Sequence, residues 1–289
     1  MPSEEEFLKT LSQIFAPVGS PLSKSLKVGI GDDAAVVAPG NAPLALSTDM
    51  AVEGTHFNRE WSSLYEIGGK VTAANLADIF AMGGTPQYLL VAAAIPEDFT
   101  NEALKELAQG IQDEARKVDA IVVGGDLTRS KILTIAISTF GEVSRPILRS
   151  GACEGDVVAI SDLPGESSRG LKLLQEGIRD ERTKAHRYPS IKYGKVINLE
   201  QGLVHSLTDV SDGLIAELES LGSASGVCIE IESSKIPTDA HTLHGGEDHV
   251  FVGTFTKLPS GWIEIGRVVN GAGVRLDGSA ITHQGFTHF

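Results

Sequence analysis

The hydrophobic residues between positions 70 and 86 predict a helix that is buried on nearly all sides. From Val71 to Met82, only Thr72, Asn75 and Asp78 are neither apolar nor alanine, and a helix without a polar face is normally buried. These three residues are spaced three apart, so they share one narrow stripe. An unpaired buried carboxylate is costly. Asp78 is therefore expected to meet a cation or a distant arginine, unless it lies partly exposed near the helix end.

The patterns on either side of this helix alternate between helix and strand, which predicts a mixed α/β chain. In the first half they predict a helix ending at about Phe15, a helix over 101–118 and strands over 44–49, 87–95, 120–126 and 132–141. In the second half they predict strands over 157–161, 206–209, 227–231 and 249–255, and helices after Gly165, over 190–203 and over 214–224. Turn-forming residues between Gly141 and Gly155 place a domain boundary there, giving domains 1–142 and 143–289.

Charge and cysteine content narrow the functional classes. A net charge of −14 argues against a nucleic-acid or anionic-membrane surface, which needs basic patches. Cys153 and Cys228 are far apart and have no metal-type spacing, which favours a reduced, cytoplasmic protein. The acidic N-terminus does not resemble a signal peptide. No apolar run reaches the roughly 18 residues of a membrane-spanning helix.

Acidic residues recur at the ends of apolar strands or within the buried helix, next to glycine or a hydroxyl. They are Asp32, Asp33, Asp49, Asp78, Asp126, Asp209, Asp212, Glu247 and Asp248. Any one of them could be an ordinary turn or helix cap, but the repetition favours a shared function. Carboxylate and hydroxyl oxygens without histidine or cysteine favour Mg²⁺ over Zn²⁺.

Magnesium in proteins usually accompanies substrate phosphates, yet the familiar phosphate-binding loops are missing. The chain has no G-x-x-x-x-G-K-[ST] segment, and Gly29-Ile-Gly31 lacks the third glycine of a dinucleotide fingerprint. The basic residues available for phosphate are Lys70, Arg129, Lys131 and Arg149. Phosphate is therefore expected to bind mainly through metal ions, assisted by backbone N–H groups at glycine-rich turns.

Six segments resemble a known family of proteins and occur in the order in which that family has them. They are GIGDDAAV, STDMAVEGTHF, NLADIFAMGGTP, GGDLTRS, LTDVSDGL and GGEDHVF. The set resembles the superfamily of aminoimidazole ribonucleotide synthetase and selenophosphate synthetase, and within it most of all the thiamine-monophosphate kinases. The resemblance implies an N-terminal mixed sheet with helices on one face, dimerisation through these sheets, and an α/β C-terminal domain. It also implies that ATP and several Mg²⁺ ions bind in the cleft between the domains.

The resemblance also assigns roles to individual residues. It implies Mg²⁺ ligands at Asp33, Ser47, Thr48, Asp49, Asp78, Asp126, Asp209 and Asp212. It implies ATP contacts at Gly125, Asp126, Arg149 and Ser211, with Asp126 and Arg149 in catalysis, and thiamine monophosphate contacts at His56, Glu247 and Phe286. Three of these residues have simpler interpretations: His56 as a surface loop residue, Phe286 as C-terminal packing and Arg149 as a bridge at the domain boundary.

The chain also departs from the family pattern. His249 and Val250 replace the usual Tyr-Glu pair after GGED, and the segments 237–244 and 256–265 are short. The expected activity is ATP-dependent phosphorylation of thiamine monophosphate to thiamine diphosphate by a homodimeric kinase. The alternatives are another ATP-dependent enzyme of the superfamily, or a protein that binds nucleotide or thiamine phosphate and has lost turnover. No cysteine precedes Cys153, which disfavours a selenophosphate synthetase.

Overall fold

In a computed structural model, which describes residues 4–30 and 34–284, the chain forms two compact units. The first unit comprises Met1–Ile79 and Gly84–Ser144, and the second comprises Phe80–Gly83 and Arg145–Phe289. Among the described residues, no helix is long and apolar enough to cross a membrane.

The first unit is built on a four-stranded mixed sheet. Its elements in chain order are α1 (Glu4–Ile14), β1 (Leu26–Val28), β2 (Val36–Val37), β3 (Leu44–Val52), α2 (Leu64–Ala81), β4 (Thr85–Ile95), α3 (Asn101–Arg116), β5 (Ile121–Arg129) and β6 (Thr134–Glu142). The strand order is β3-β6-β4-β5. β6 is antiparallel to both of its neighbours, whereas β4 and β5 are parallel. β1 and β2 form a separate small ladder.

Helix α2 contains the predicted buried stretch but begins seven residues earlier, at Leu64 rather than Val71. A capping box explains its start. The Glu66 N–H donates to Ser63 Oγ over 3.2 Å, and the Ser63 N–H donates to Glu66 Oε2 over 2.9 Å. This reciprocal pair satisfies two backbone donors at the helix N-terminus.

Glycines allow α2 and α3 to pack at very short range. A Cβ on Gly68 would lie 2.3 Å from the Leu107 carbonyl oxygen, and a Cβ on Gly110 would lie 2.0 Å from the Tyr65 carbonyl oxygen. Any larger residue at either position would push the helices apart. This contact joins α2 to α3, and the hydrogen bond from the Asp49 N–H to Asn75 Oδ1 joins α2 to the sheet.

The opposite face of this sheet is only partly covered. Tyr88, Ile121 and Val123 form a small core there, with Leu22 and Leu26 packed against it. On β3, three large apolar side chains remain exposed: Leu44, Leu46 and Met50 have relative exposures of 57%, 65% and 60%. Exposed large apolar side chains on one face of a strand are a common feature of interaction surfaces.

The second unit is built on a seven-stranded sheet. Its elements are β7 (Val157–Ile160), α4 (Glu166–Gln175), α5 (Lys184–Arg187), α6 (Gly194–Ile197), β8 (Val204–Asp209), α7 (Leu214–Ser225), β9 (Cys228–Ile231), α8 (Ala240–His244), β10 (Phe251–Phe255), β11 (Ile263–Val269), β12 (Gly273–Leu276) and β13 (Ser279–Ile281). The strand order is β13-β12-β9-β11-β7-β10-β8. The apolar side of α7, with Leu214, Leu218 and Leu221 fully buried, forms a core with the strands.

For the second half, one predicted helix was wrong and three strands were not predicted. The helix expected over 190–203 is reduced to the single turn α6 and a 3-10 turn at Gln201–Leu203. Gly194 and Gly202 are poor helix formers, and the Asn198 side chain bonds the Gly194 carbonyl over 2.7 Å, in competition with the backbone. Strands β11 to β13 were not predicted: Gly266 interrupts the apolar pattern of β11, and β12 and β13 have only four and three residues.

Candidate functional site

Four polar residues meet where α2 lies on the sheet of the first unit; we call Ser47, Asp49, Asn75 and Asp78 the Asp78 cluster. Ser47 Oγ donates to Asp78 Oδ2 over 2.5 Å. The Asp49 N–H donates to Asn75 Oδ1 over 3.2 Å. Ser47 and Asp49 are two residues apart on β3, so both side chains point to the same face of the sheet.

The three polar residues of α2 have different hydrogen-bond partners. Thr72 Oγ1 donates to the Gly68 carbonyl, and Asn75 Nδ2 donates to the Val71 carbonyl, over 2.8 and 2.9 Å. Both side chains are fully buried and bond within their own helix. Asp78 is half-buried and instead reaches the Ser47 hydroxyl, as expected for a carboxylate with a role beyond the helix.

Thr48 and Asp126 lie on the other face of the sheet. Thr48 Oγ1 donates to the Ile137 carbonyl over 3.1 Å and accepts from Ser138 Oγ over 3.0 Å. Asp126 pairs with Ala92, which pairs with Ala136, and paired residues point to the same face. The structure therefore does not bring the side chains of Thr48 and Asp126 into the Asp78 cluster.

Asp126 is also separated from Asp49 by the width of the sheet. β3 and β5 are the two edge strands, and the row across the sheet runs from Asp49 through Ile137 and Val91 to Gly125. Three strand spacings amount to roughly 14 Å. The two aspartates of one chain therefore cannot share a metal ion. Gly125 is required where it lies, because a Cβ there would be 1.9 Å from the Val91 carbonyl oxygen.

The remaining predicted residues of the first half are His56 and Asp33. His56 Nδ1 accepts the Val52 N–H over 3.1 Å, which fixes the orientation of the ring and puts the proton of the neutral imidazole on Nε2. Asp33 lies outside the described residues, and so does Phe286.

In the second unit, a buried glutamate joins several of the predicted residues. We call Arg149, Asp209, Ser211, Asp212 and Glu217 the Glu217 cluster. Ser211 Oγ donates to Glu217 Oε1 over 3.3 Å, and an Arg149 guanidinium nitrogen lies 3.8 Å from Glu217 Oε2. The side chain of Glu217 is 6% exposed and that of Arg149 is 56% exposed.

Burial, together with the negative charge of Asp209, raises the pKa of Glu217 to about 7, while Arg149 opposes the shift. The neutral form of the Glu217 carboxyl is thus more favoured than in an exposed glutamate. Sequence reasoning missed this residue. The available signal was its place on the first turn of α7 among Leu214, Ile215 and Leu218, where a carboxylate would be costly without a partner.

His249 also approaches a predicted metal ligand. Its Nδ1 lies 3.0 Å from Asp209 Oδ2, and both side chains are buried. His249 has a φ of 51°, a conformation that few residues other than glycine adopt. His249 therefore orients the carboxylate of Asp209.

The two acids of the GGED segment have different surroundings. Asp248 accepts the N–H groups of Gly165 and Ser167 over 2.7 and 2.9 Å, so it caps the N-terminus of α4. Burial raises the pKa of Asp248, and these two N–H groups oppose the shift. The Glu247 N–H donates to the Ser211 carbonyl over 2.7 Å, which places Glu247 beside the Glu217 cluster. Asp248 is therefore structural, and Glu247 lies at the candidate site.

The donors in both clusters fit a hard cation. Ser47, Asp49 and Asp78 offer hydroxyl and carboxylate oxygens, and Asp209 and Asp212 offer further carboxylates. Mg²⁺ prefers such oxygens and is commonly bound through one or two carboxylates together with phosphate. The short contact between Ser47 and Asp78 already arranges two of these oxygens side by side.

The chain is similar to proteins of known family. Residues 31–143 match the family described as AIR synthase related protein, N-terminal domain. The thiamine-monophosphate kinase of Mycobacterium tuberculosis is 35% identical over 277 residues, covering 88% of this chain and 83% of that protein.

Solved structures have the same fold. The thiamine-monophosphate kinase of Stenotrophomonas maltophilia K279a superposes with a TM-score of 0.84 at 26% identity, over 96% of this chain and 98% of that one. AaThiL complexed with AMPPCP and TMP superposes with a TM-score of 0.81 at 29% identity, over 100% and 99% of the two chains.

Proposed function

The chain belongs to the thiamine-monophosphate kinase family, and we propose that it transfers the γ-phosphoryl group of ATP to thiamine monophosphate, giving thiamine diphosphate. The observation that carries this proposal is the Asp78 cluster, in which Ser47 Oγ and Asp78 Oδ2 lie 2.5 Å apart beside Asp49. Oxygen ligands of this kind suit a reaction whose substrates are both phosphates. AaThiL binds AMPPCP and TMP, which supports the same pair of substrates here.

Ser47, Asp49, Asp78, Asp209 and Asp212, with Asp33, Thr48 and Asp126, are the proposed Mg²⁺ ligands. Magnesium, when bound, supplies the positive charge that neutralises the phosphates and aligns them for in-line transfer. Without it, an acidic chain with a net charge of −14 would repel ATP. Activity is therefore expected to require Mg²⁺ or Mn²⁺.

Direct transfer of the phosphoryl group from ATP to the acceptor needs few catalytic side chains. The acceptor is already an anionic phosphate oxygen, so no general base is needed. Arg149, which is more than half exposed, can extend to the transferred phosphoryl group and stabilise its charge. Gly125, Asp126 and Ser211 are the proposed partners of ATP. His56, Glu247 and Phe286 are the proposed partners of thiamine monophosphate.

The proposed activity is tested by incubating the protein with ATP, Mg²⁺ and thiamine monophosphate and measuring thiamine diphosphate. Product is expected only when all three are present, and a chelator is expected to abolish it. ATP turnover at a rate that does not depend on thiamine monophosphate would indicate another enzyme of the superfamily. Binding of both substrates without product in a single turnover would indicate a protein that has lost catalysis.

We further propose that two copies of the chain associate through the sheet of the first unit. Among the described strands, β3 and β5 have a partner on one side only, and Leu44, Leu46 and Met50 expose an apolar face. A symmetric pair can bring β3 of one copy to β5 of the other. Asp126 of one copy would then lie across this strand edge from Thr48 and Asp49 of its partner, which a single chain does not allow.

The dimer proposal predicts that Leu46→Lys yields monomers, because the substitution places a charge in the proposed interface. Leu258→Lys is the matched control, since Leu258 is also exposed, at 42%, but belongs to the second unit. Light scattering is expected to give half the parental mass for Leu46→Lys and the parental mass for Leu258→Lys. A Leu46→Lys variant that remains dimeric would contradict this interface.

His249→Ala is expected to weaken Mg²⁺ binding by roughly 10- to 100-fold, the cost of losing a side chain that orients a metal ligand. His249→Asn is the matched control, because its Nδ2 donor can replace Nδ1 and asparagine tolerates positive φ. Calorimetric Mg²⁺ titration without nucleotide measures the effect, and melting temperatures monitor the fold. Equal Mg²⁺ affinity in the parent and both variants would remove His249 from this role.

A further inference from the structure

Three side chains of different chemistry meet where the turn before β7 approaches β8 in the second unit. The potential ligand atoms of Cys153, Asp156 and His205 all lie within 4.8 Å of one another. Cys153 and Asp156 belong to one turn, which the Asp156 N–H closes by donating to the Cys153 carbonyl over 3.0 Å. His205 follows Asp156 by 49 residues, so the spacing of the cysteines alone could not reveal this cluster.

The carboxylate of Asp156 holds the other two residues in place. It lies 3.0 and 2.8 Å from His205 Nδ1 and accepts the Cys153 N–H over 2.8 Å. The Asp156 side chain is 6% exposed and that of His205 is 32% exposed, whereas Cys153 is exposed. Packing therefore fixes the carboxylate and the imidazole, while solvent can reach the thiol.

We propose that Cys153, Asp156 and His205 form a zinc site, with a fourth coordination position open to water or a small ligand. A thiolate, an imidazole nitrogen and a carboxylate oxygen are the ligands that Zn²⁺ takes in proteins. The soft thiolate separates this site from the oxygen-only clusters proposed for Mg²⁺. None of the three residues belongs to those clusters, so the zinc site does not depend on the kinase activity.

The geometry needs little adjustment to hold the ion. Tetrahedral coordination at ordinary Zn–N, Zn–O and Zn–S lengths puts ligand atoms roughly 3.3 to 3.8 Å apart. His205 Nδ1 and Asp156 Oδ2 already lie 2.8 Å apart, and zinc would replace the proton that they share. The exposed Cys153 side chain, whose Sγ now contacts the Gly151 carbonyl at 3.3 Å, can rotate to supply the third ligand.

Zinc affinity of the chelator-stripped protein, measured by competition with a chromophoric chelator in excess Mg²⁺, tests the proposal. The excess Mg²⁺ occupies the oxygen clusters. One zinc ion per chain is expected, and Cys153→Ser and His205→Gln should each weaken binding by more than the roughly 10- to 100-fold typical of second-shell changes. His241→Gln is the matched control, since His241 is another partly exposed histidine of the second unit.

Substitution of Co²⁺ for zinc identifies the sulfur ligand. A thiolate-to-cobalt absorption band is expected in the parent protein and should disappear in Cys153→Ser, which alters only an exposed side chain. The buried Cys228 remains in every variant, so a band that persists in Cys153→Ser would overturn the assignment. Absence of the band in the parent, or equal zinc affinity in the parent and Cys153→Ser, would overturn the proposal.

Discussion

Asp78→Asn is expected to reduce turnover by at least about a hundredfold, the scale for loss of a main electrostatic stabiliser. Asp78 carries the carboxylate that Ser47 Oγ contacts at 2.5 Å, and asparagine keeps its shape but removes its charge. The fold should survive, because removing one member of a cluster of like charges relieves repulsion when no metal is bound. Steady-state kinetics at saturating ATP and Mg²⁺, with a melting curve for each protein, measure both effects.

Asp98→Asn is the matched control for this substitution. It removes the same charge from the first unit, but the Asp98 side chain is 72% exposed and lies outside the Asp78 cluster. Its turnover is expected to stay near that of the parent. Full activity in Asp78→Asn would remove Asp78 from the metal site, and equal losses in both variants would point to a general effect of charge.

Asp126→Asn is expected to cause a similar loss of at least about a hundredfold, although Asp126 and Asp49 lie on opposite edge strands of the sheet. The proposed dimer accounts for this, since Asp126 of one copy would lie beside β3 of its partner and act at that copy's site. Full activity of Asp126→Asn would remove Asp126 from the site.

Mixed dimers distinguish a shared site from two independent ones. When Asp78→Asn and Asp126→Asn chains carry different tags, are co-expressed and are purified as mixed pairs, one site of each pair contains both lesions and the other contains neither. Such pairs are expected to regain about half of the parental activity, because a two-fold dimer has two equivalent sites. Mixed pairs as inactive as the single variants would show that Asp126 acts within its own chain.

The sequence predicted elements best where a strong apolar pattern determines them. The buried part of α2 and strand β4 were recognised because their apolar runs are long. The beginning of α2 was missed because it depends on the capping box of Ser63 and Glu66. The prediction of a helix over 190–203 was wrong because it did not take into account the helix-breaking effect of Gly194 and Gly202.

The site was harder to predict because strand register and long-range contacts decide it. Thr48 and Asp49 are adjacent in sequence but point to opposite faces of β3. No pattern within the chain reveals that β3 and β5 lie at opposite edges of the sheet. The partners Asp209 and His249 are 40 residues apart. Glu217 could have been noticed, because a carboxylate among the leucines of α7 needs a partner.

The most direct test of the central claim is to follow the γ-phosphate of ATP. ATP labelled at that phosphorus is mixed with an excess of the protein, Mg²⁺ and thiamine monophosphate, and the products are separated after a single turnover. Direct transfer predicts that the label appears in the terminal phosphate of thiamine diphosphate, at a rate that Asp78→Asn lowers and Asp98→Asn does not. Label found only in inorganic phosphate, with no labelled thiamine diphosphate, would contradict the assignment of this chain as a thiamine-monophosphate kinase.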